Sequence, residues 1–107
     1  MKLEIMAFKT RAELRGWLKQ NHAISPGIMG QLFKVSSGPE SVSFHDVLEE
    51  GLCFGWSESQ RLPYDSASYL QKFTPRKSRG TTSERNKKLV ARLEAEGRMT
   101  GAGRVML

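Results

Sequence analysis

SFHDVLEEGLCFGWSESQRLPYDSASYLQKFTP, Ser43 to Pro75, contains both of the periods from which a fold is read. Its first half sets Phe44, Val47, Leu48, Gly51 and Leu52 at i, i+3, i+4, i+7 and i+8, one face of an α-helix. Ser43 and Asp46 stand ahead of that face at capping-box spacing. A glycine inside a helix costs about 1 kcal/mol relative to alanine, so Gly51 on the apolar face predicts something packed closely against it. Cys53 to Trp56 end the helix, and Ser57–Leu62 (SESQRL) reads as a strand. Pro63–Ser66 (PYDS) turns the chain into a returning strand, Ser68–Thr74, so the pair forms an antiparallel hairpin. Pro75 has no N–H to give and stops the ladder.

The same signals extend outward on both sides. Thr10 and Glu13 make another capping box, and Leu14, Trp17 and Leu18 share one face, which predicts a helix over Arg11–Asn21 with Arg11, Arg15 and Lys19 outside. Pro26 and Gly27 break the chain before the apolar segment Ile28–Val35, a predicted strand, and SSGPES (Ser36–Ser41) is a turn cluster. Beyond the hairpin, Thr81 and Glu84 are spaced as a capping box for a helix reaching Glu96, with Leu89, Val90 and Leu93 inward and Gly97 as its left-handed stop. The expected architecture is α+β, one domain over residues 1–107, with about three helices packed on a three-stranded, largely antiparallel sheet in the order α-β-α-β-β-α and residues 98–107 as a short tail.

With 107 residues, 38% hydrophobic and 26% charged, the chain has material for one thin core and not for two. The lone Cys53 cannot form an internal disulfide, which suits a reducing compartment. The opening MKLEIMAFKTRAE is too short and too charged for a signal peptide, and no 18-residue apolar run exists. These features predict a cytoplasmic protein without a membrane span. The net charge of +6 is unevenly placed: from Lys72 to Arg104 there are ten Lys or Arg against three acids, +7, so the remainder sums to −1. Such a basic third points to an anionic partner, the plain alternative being a helix whose solvated face happens to be basic.

Metal chemistry has little to work with, because His22, His45 and Cys53 fall at no ligand spacing. No nucleophile elbow, H-E-x-x-H or phosphate loop is present, and no cofactor is implied. Glu49 and Glu50 are adjacent on a helix and point about 100° apart, so they do not form an acid/base pair. Glu58 shares a strand face with Trp56 and is the better candidate, the alternative being an exposed strand carboxylate. The most informative stretch is FTPRKSRGTTSERNKK, Phe73–Lys88, with six cations and one acid. Arg76, Lys77 and Arg79 precede a helix start whose free N–H groups and dipole favour an anion, and Thr81, Thr82 and Ser83 add hydroxyls.

LEEGLCFGW, YLQKFTPRK, SERN and LEAEGRMTGAG, in this order and spacing, resemble the N-terminal part of the YdeI/OmpD-associated bacteriocin-protection family. Trp17, Leu18, Asn21, His22 and Gly27 extend the likeness to the first half of the chain. Three departures stand out. Ser57-Glu58-Ser59 replaces a hydrophobe-Asp-Gly, Thr82 stands where a Trp is common, and a second C-terminal segment found in many members does not follow. The resemblance implies a link to stress, bacteriocin or antimicrobial-peptide resistance and to an outer-membrane porin, with no firm reaction. A periplasmic place suggested for some relatives does not carry over to a chain without a leader.

Three functions follow as expectations. The first is a non-catalytic binding domain whose small-anion or phosphate pocket is built from Glu58, Arg61, Arg76, Lys77, Ser83 and Asn86 around Trp56. The second is a nucleic-acid module using the basic helix through Arg79, Arg85, Lys88 and Arg92, with few aromatics for base readout. The third is an enzyme with Glu58 as general base and Arg76 as electrostatic stabiliser.

Overall fold

A computed structural model of the chain describes residues 3–107. Its elements are β1 (Glu4–Met6), α1 (Arg11–Asn21), β2 (Ile28–Phe33), a 3-10 turn (Val35–Ser37), α2 (Phe44–Phe54), β3 (Trp56–Pro63), β4 (Ser68–Pro75), α3 (Glu84–Ala95) and α4 (Gly101–Val105). The fold is α+β, with a mixed four-stranded sheet in the order β1-β2-β4-β3. Three helices and three strands were expected, and one of each is added.

The extra strand is β1, which runs parallel to β2 with Glu4 opposite Ile28 and Met6 opposite Gly30. The extra helix is α4, in the residues read as a tail. Thr100 caps it by accepting the Gly103 N–H at 3.3 Å, and the Thr100 N–H donates to the Cys53 carbonyl at 3.1 Å. Gly103 is required there, since a Cβ would run into the carbonyl oxygens of Leu52 and Cys53 at the end of α2. Two boundaries also move. The strand expected to reach Val35 ends at Phe33, because Val35 opens the 3-10 turn in full solvent exposure. Helix α3 is capped by Ser83, whose hydroxyl accepts the Asn86 N–H at 3.2 Å, and not by Thr81, whose hydroxyl accepts from Arg76 instead.

The core grows from one face of the sheet. Ile28 lies opposite Phe73 and Leu32 opposite Tyr69, which places these four side chains together under α1 and α2. Trp56 is buried among them, edge-on to Trp17 and 4.9 Å from the Phe73 ring, with its indole N–H donating to the His22 carbonyl at 3.2 Å. Gly51 has the close neighbour its position predicts: a Cβ there would stand 2.9 Å from Phe73 Cε1 and 3.0 Å from the Trp56 carbonyl oxygen. The opposite face carries Met29, Gln31, Lys72 and Thr74 and contributes nothing to the core cluster.

Helix α2 also buries two carboxylates. Glu50, fully enclosed, accepts from Arg15 Nη1 at 2.9 Å and from Arg98 Nη2 at 2.7 Å, while Glu49 pairs with Arg92 and with Arg98 Nη1 at 2.9 Å. The adjacent glutamates, expected to point apart, instead converge on one guanidinium, because Arg98 bonds both. Burial works against the charge of Arg98, and its bonds to Glu50, Glu96 and Glu49 outweigh that, holding its pKa above the ordinary guanidinium value. Burial likewise opposes the Glu49 charge, and its bonds to Arg92 and Arg98 overcome it and lower its pKa. The network ties α1, α3 and the segment before α4 to the central helix.

Candidate functional site

The segment after β4 is fixed at two points. Pro75 ends the ladder, the Arg76 N–H donates to the Gly55 carbonyl at 2.9 Å, and the Gly80 N–H donates to the Met106 carbonyl at 3.2 Å. Gly80 has φ +74°, the left-handed turn a side chain resists, and it brings the chain back to the start of α3. Between these ties the loop lies over one end of the β3–β4 hairpin.

Strand alternation supplies the other wall. Lys72 and Thr74 alternate with the buried Gln71 and Phe73, so they project from the sheet face that the core leaves uncovered. Ser57 is the cross-strand partner of Thr74, and a bulge between Glu58 and Gln60 leaves Ser59 beside the same hollow. The result is an open recess of about 390 Å³. Its cations are Lys72, Arg76 and Lys77, and its hydroxyls come from Ser57, Ser59, Thr74, Ser78 and Thr81. No carboxylate lines it. None of the three cations joins an ion pair among the described residues, although the Arg76 charge reaches the Glu58 carboxylate on the other face. Arg76 Nη1 donates to Thr81 Oγ1 at 3.3 Å, which steadies the guanidinium across the mouth.

Of the seven residues expected to form an anion pocket, Arg76 and Lys77 line this recess. The other five are placed elsewhere, each for a local reason. Trp56 is wholly buried in the core. Glu58 pairs across the strand with Phe73 and so belongs to the other face. Burial raises the Glu58 pKa, and the charge of Arg76 offsets this only in part. Arg61 sits beyond the bulge on that same face, its guanidinium 4.4 Å from the Tyr69 ring and 5.4 Å from the Phe44 ring. The Ser83 hydroxyl is engaged as the α3 cap, and Asn86 lies in the first turn of that helix, away from the recess lining. Glu58 thus lies on the core face while Arg76 lines the recess, with the Arg76 charge still reaching the Glu58 carboxylate.

Along α3, Arg79 before it and Arg85 and Lys88 on it are exposed and make no ion pair among the described residues. Arg92 departs from the expected solvent stripe, because its guanidinium is held by Glu49 and lies 3.6 Å from Glu96. Among the described residues, no three of His, Cys, Asp and Glu gather where a metal ion could be held. No helix among them is long and apolar enough to cross a membrane.

The residues missed by sequence reasoning are Lys72, Ser57, Ser59, Thr74 and Ser78. Four of them were visible as alternate positions on the two hairpin strands, and pairing Ser57 with Thr74 would have put them side by side.

Fold and recess define a small α+β domain with a cation-lined hollow at one end of its sheet. The chain belongs to the family described as Domain of unknown function (DUF8412), whose profile matches residues 6–106. No curated protein and no solved structure matches the chain.

Proposed function

We propose that this domain binds a small oxyanion, phosphate or a phosphate-bearing ligand, in the recess of Lys72, Arg76 and Lys77. One observation carries the reading: three cations that make no ion pair among the described residues face a hollow whose remaining polar side chains are hydroxyls, with no carboxylate in its lining. Charged donors and hydroxyls together suit an anion with several acceptor oxygens, and the planar guanidinium of Arg76 can take two of them at once. The lining offers no carboxylate or imidazole to move a proton, which favours binding over catalysis. The resemblance to the YdeI/OmpD-associated family supports a role in bacteriocin or antimicrobial-peptide resistance, and the free, buried Cys53 suits a reducing cytoplasm. Titrating the protein with sodium phosphate while following backbone amide shifts tests the reading. Shifts are expected at Ser57, Ser59 and Lys72 to Thr81, with Arg61 and Asn86 unmoved. Silence across the recess would overturn it.

A second reading, binding to a nucleic-acid backbone, is favoured by Arg79, Arg85 and Lys88, which are exposed and make no ion pair among the described residues. Its affinity for duplex DNA must fall with salt, with a log–log slope near −0.9 per phosphate neutralised. Binding that is absent at low salt, or indifferent to salt, removes it.

A further inference from the structure

The recess does not end at Arg76. A second open hollow of about 340 Å³ also has Lys72, Arg76 and Lys77 in its lining and adds Leu3 and Pro26. Leu3 and Pro26 also belong to a third, of about 400 Å³, whose apolar lining continues through Met6, Trp17, Ile24 and Ile28. Each hollow shares lining residues with the next, which sets the three side by side around the end of the sheet, cationic at one end and richer in apolar side chains at the other. The middle of this row is rigidly set. Gly27, at φ +128°, lies so tightly on Thr74 that a Cβ would stand 2.5 Å from the threonine methyl, which fixes Pro26 beside β4.

Two of the polar side chains at the apolar end are tied to the backbone. The Asn21 amide donates to the Trp17 carbonyl at 2.9 Å, and Ser25 Oγ accepts the Gly27 N–H at 3.1 Å. The charged group there, Glu4, repels an anion and so sets the direction of any ligand. Ile24 stands at this mouth as an aliphatic side chain with 79% of its surface left open by the described residues.

Resting on the anion-site reading above, we infer that the ligand is a soluble phosphate monoester carrying a short apolar substituent. Its phosphate occupies the Lys72–Arg76–Lys77 recess, and its substituent crosses Leu3 and Pro26 toward Ile24. Charge complementarity fixes the head, and the shared lining of the hollows fixes the path of the tail.

The test compares inorganic phosphate, butyl phosphate and hexyl phosphate by amide-shift titration of the wild type and Ile24→Ser. Hexyl phosphate should bind at least about tenfold more tightly than phosphate, a gain smaller than two fully buried methylenes provide. Shifts should spread from Lys72–Thr81 to Ile24–Ile28. Ile24→Ser, at a position outside the core, should shrink the chain-length gain and leave phosphate affinity as it was. Equal affinities for all three anions, with shifts confined to the recess, would overturn the inference and leave the anion site standing. No shift with any of them would overturn both. Co-sedimentation with phosphatidylglycerol vesicles, without affinity for the soluble alkyl phosphates, would assign the hollows to a lipid surface and also overturn it.

Discussion

Truncating Glu50 to alanine strips the central helix of its fully buried carboxylate. Arg15 and Arg98, whose side chains keep only 24% and 15% of their surface exposed, would lose the oxygens they meet at 2.9 and 2.7 Å. Breaking a buried ion pair from one side costs about 3–5 kcal/mol, because the surviving charge stays desolvated; Arg15 is left in that state, whereas Arg98 keeps Glu49 and Glu96. Against a total stability of roughly 5–15 kcal/mol, that is a large part of the whole. At about 4–8 °C per kcal/mol, the melting temperature should fall by roughly 12–40 °C. Urea unfolding followed by the fluorescence of Trp17 and Trp56 would measure the loss. Lys87→Ala, which breaks a solvent-exposed pair with Glu84, serves as the reference and should cost less than about 1 kcal/mol. A double-mutant cycle of Arg15→Met with Glu50→Gln should give a coupling above about 1 kcal/mol. If Glu50→Ala costs no more than Lys87→Ala, the network is screened by water and the apolar core alone holds α2.

Other substitutions probe separate features. Gly51→Ala should destabilise by at least about 1 kcal/mol in urea unfolding, because the new methyl meets the Phe73 ring and the Trp56 carbonyl and this overrides alanine's better helix propensity. Glu58 has a raised folded-state pKa, so its contribution is most favourable in acid and is lost as pH rises through that value. Glu58→Gln should therefore stabilise the fold near pH 7, with the gain fading below the ordinary glutamate pKa of about 4.3; an equal effect at pH 3 and pH 7 would contradict the assignment. Arg61→Ala should cost about 0.5–1 kcal/mol of stacking on Tyr69 and Phe44 while leaving phosphate affinity unchanged in calorimetry.

The larger elements were legible because their physics is local. Helix α2 displays a full apolar stripe between Ser43 and Gly55, and the hairpin is announced by a turn cluster between two alternating runs. What escaped was decided by distant partners. The three residues of β1 are too few to show a period, and they are strand only because β2 offers a parallel edge. The α4 sequence GAGRV has no apolar stripe at all, and its glycines mark the close approach to α2 instead. The site was half legible for the same reason. Arg76 and Lys77 stood out as a charge run, whereas Lys72, Ser57 and Ser59 join them only through cross-strand register and the bulge. Arg61 was misplaced by that bulge, which keeps it on the aromatic side of the sheet.

The most direct test is calorimetric titration of inorganic phosphate at low ionic strength into the wild type and into the Lys72→Ala, Arg76→Ala double variant, with the fold of both checked by circular dichroism. A surface-open site of three cations should bind phosphate with a dissociation constant on the order of 1 mM, about −4 kcal/mol, and the folded double variant should bind at least about tenfold more weakly. Identical binding by the two folded proteins, or no heat from the wild type, would contradict an anion site in this recess.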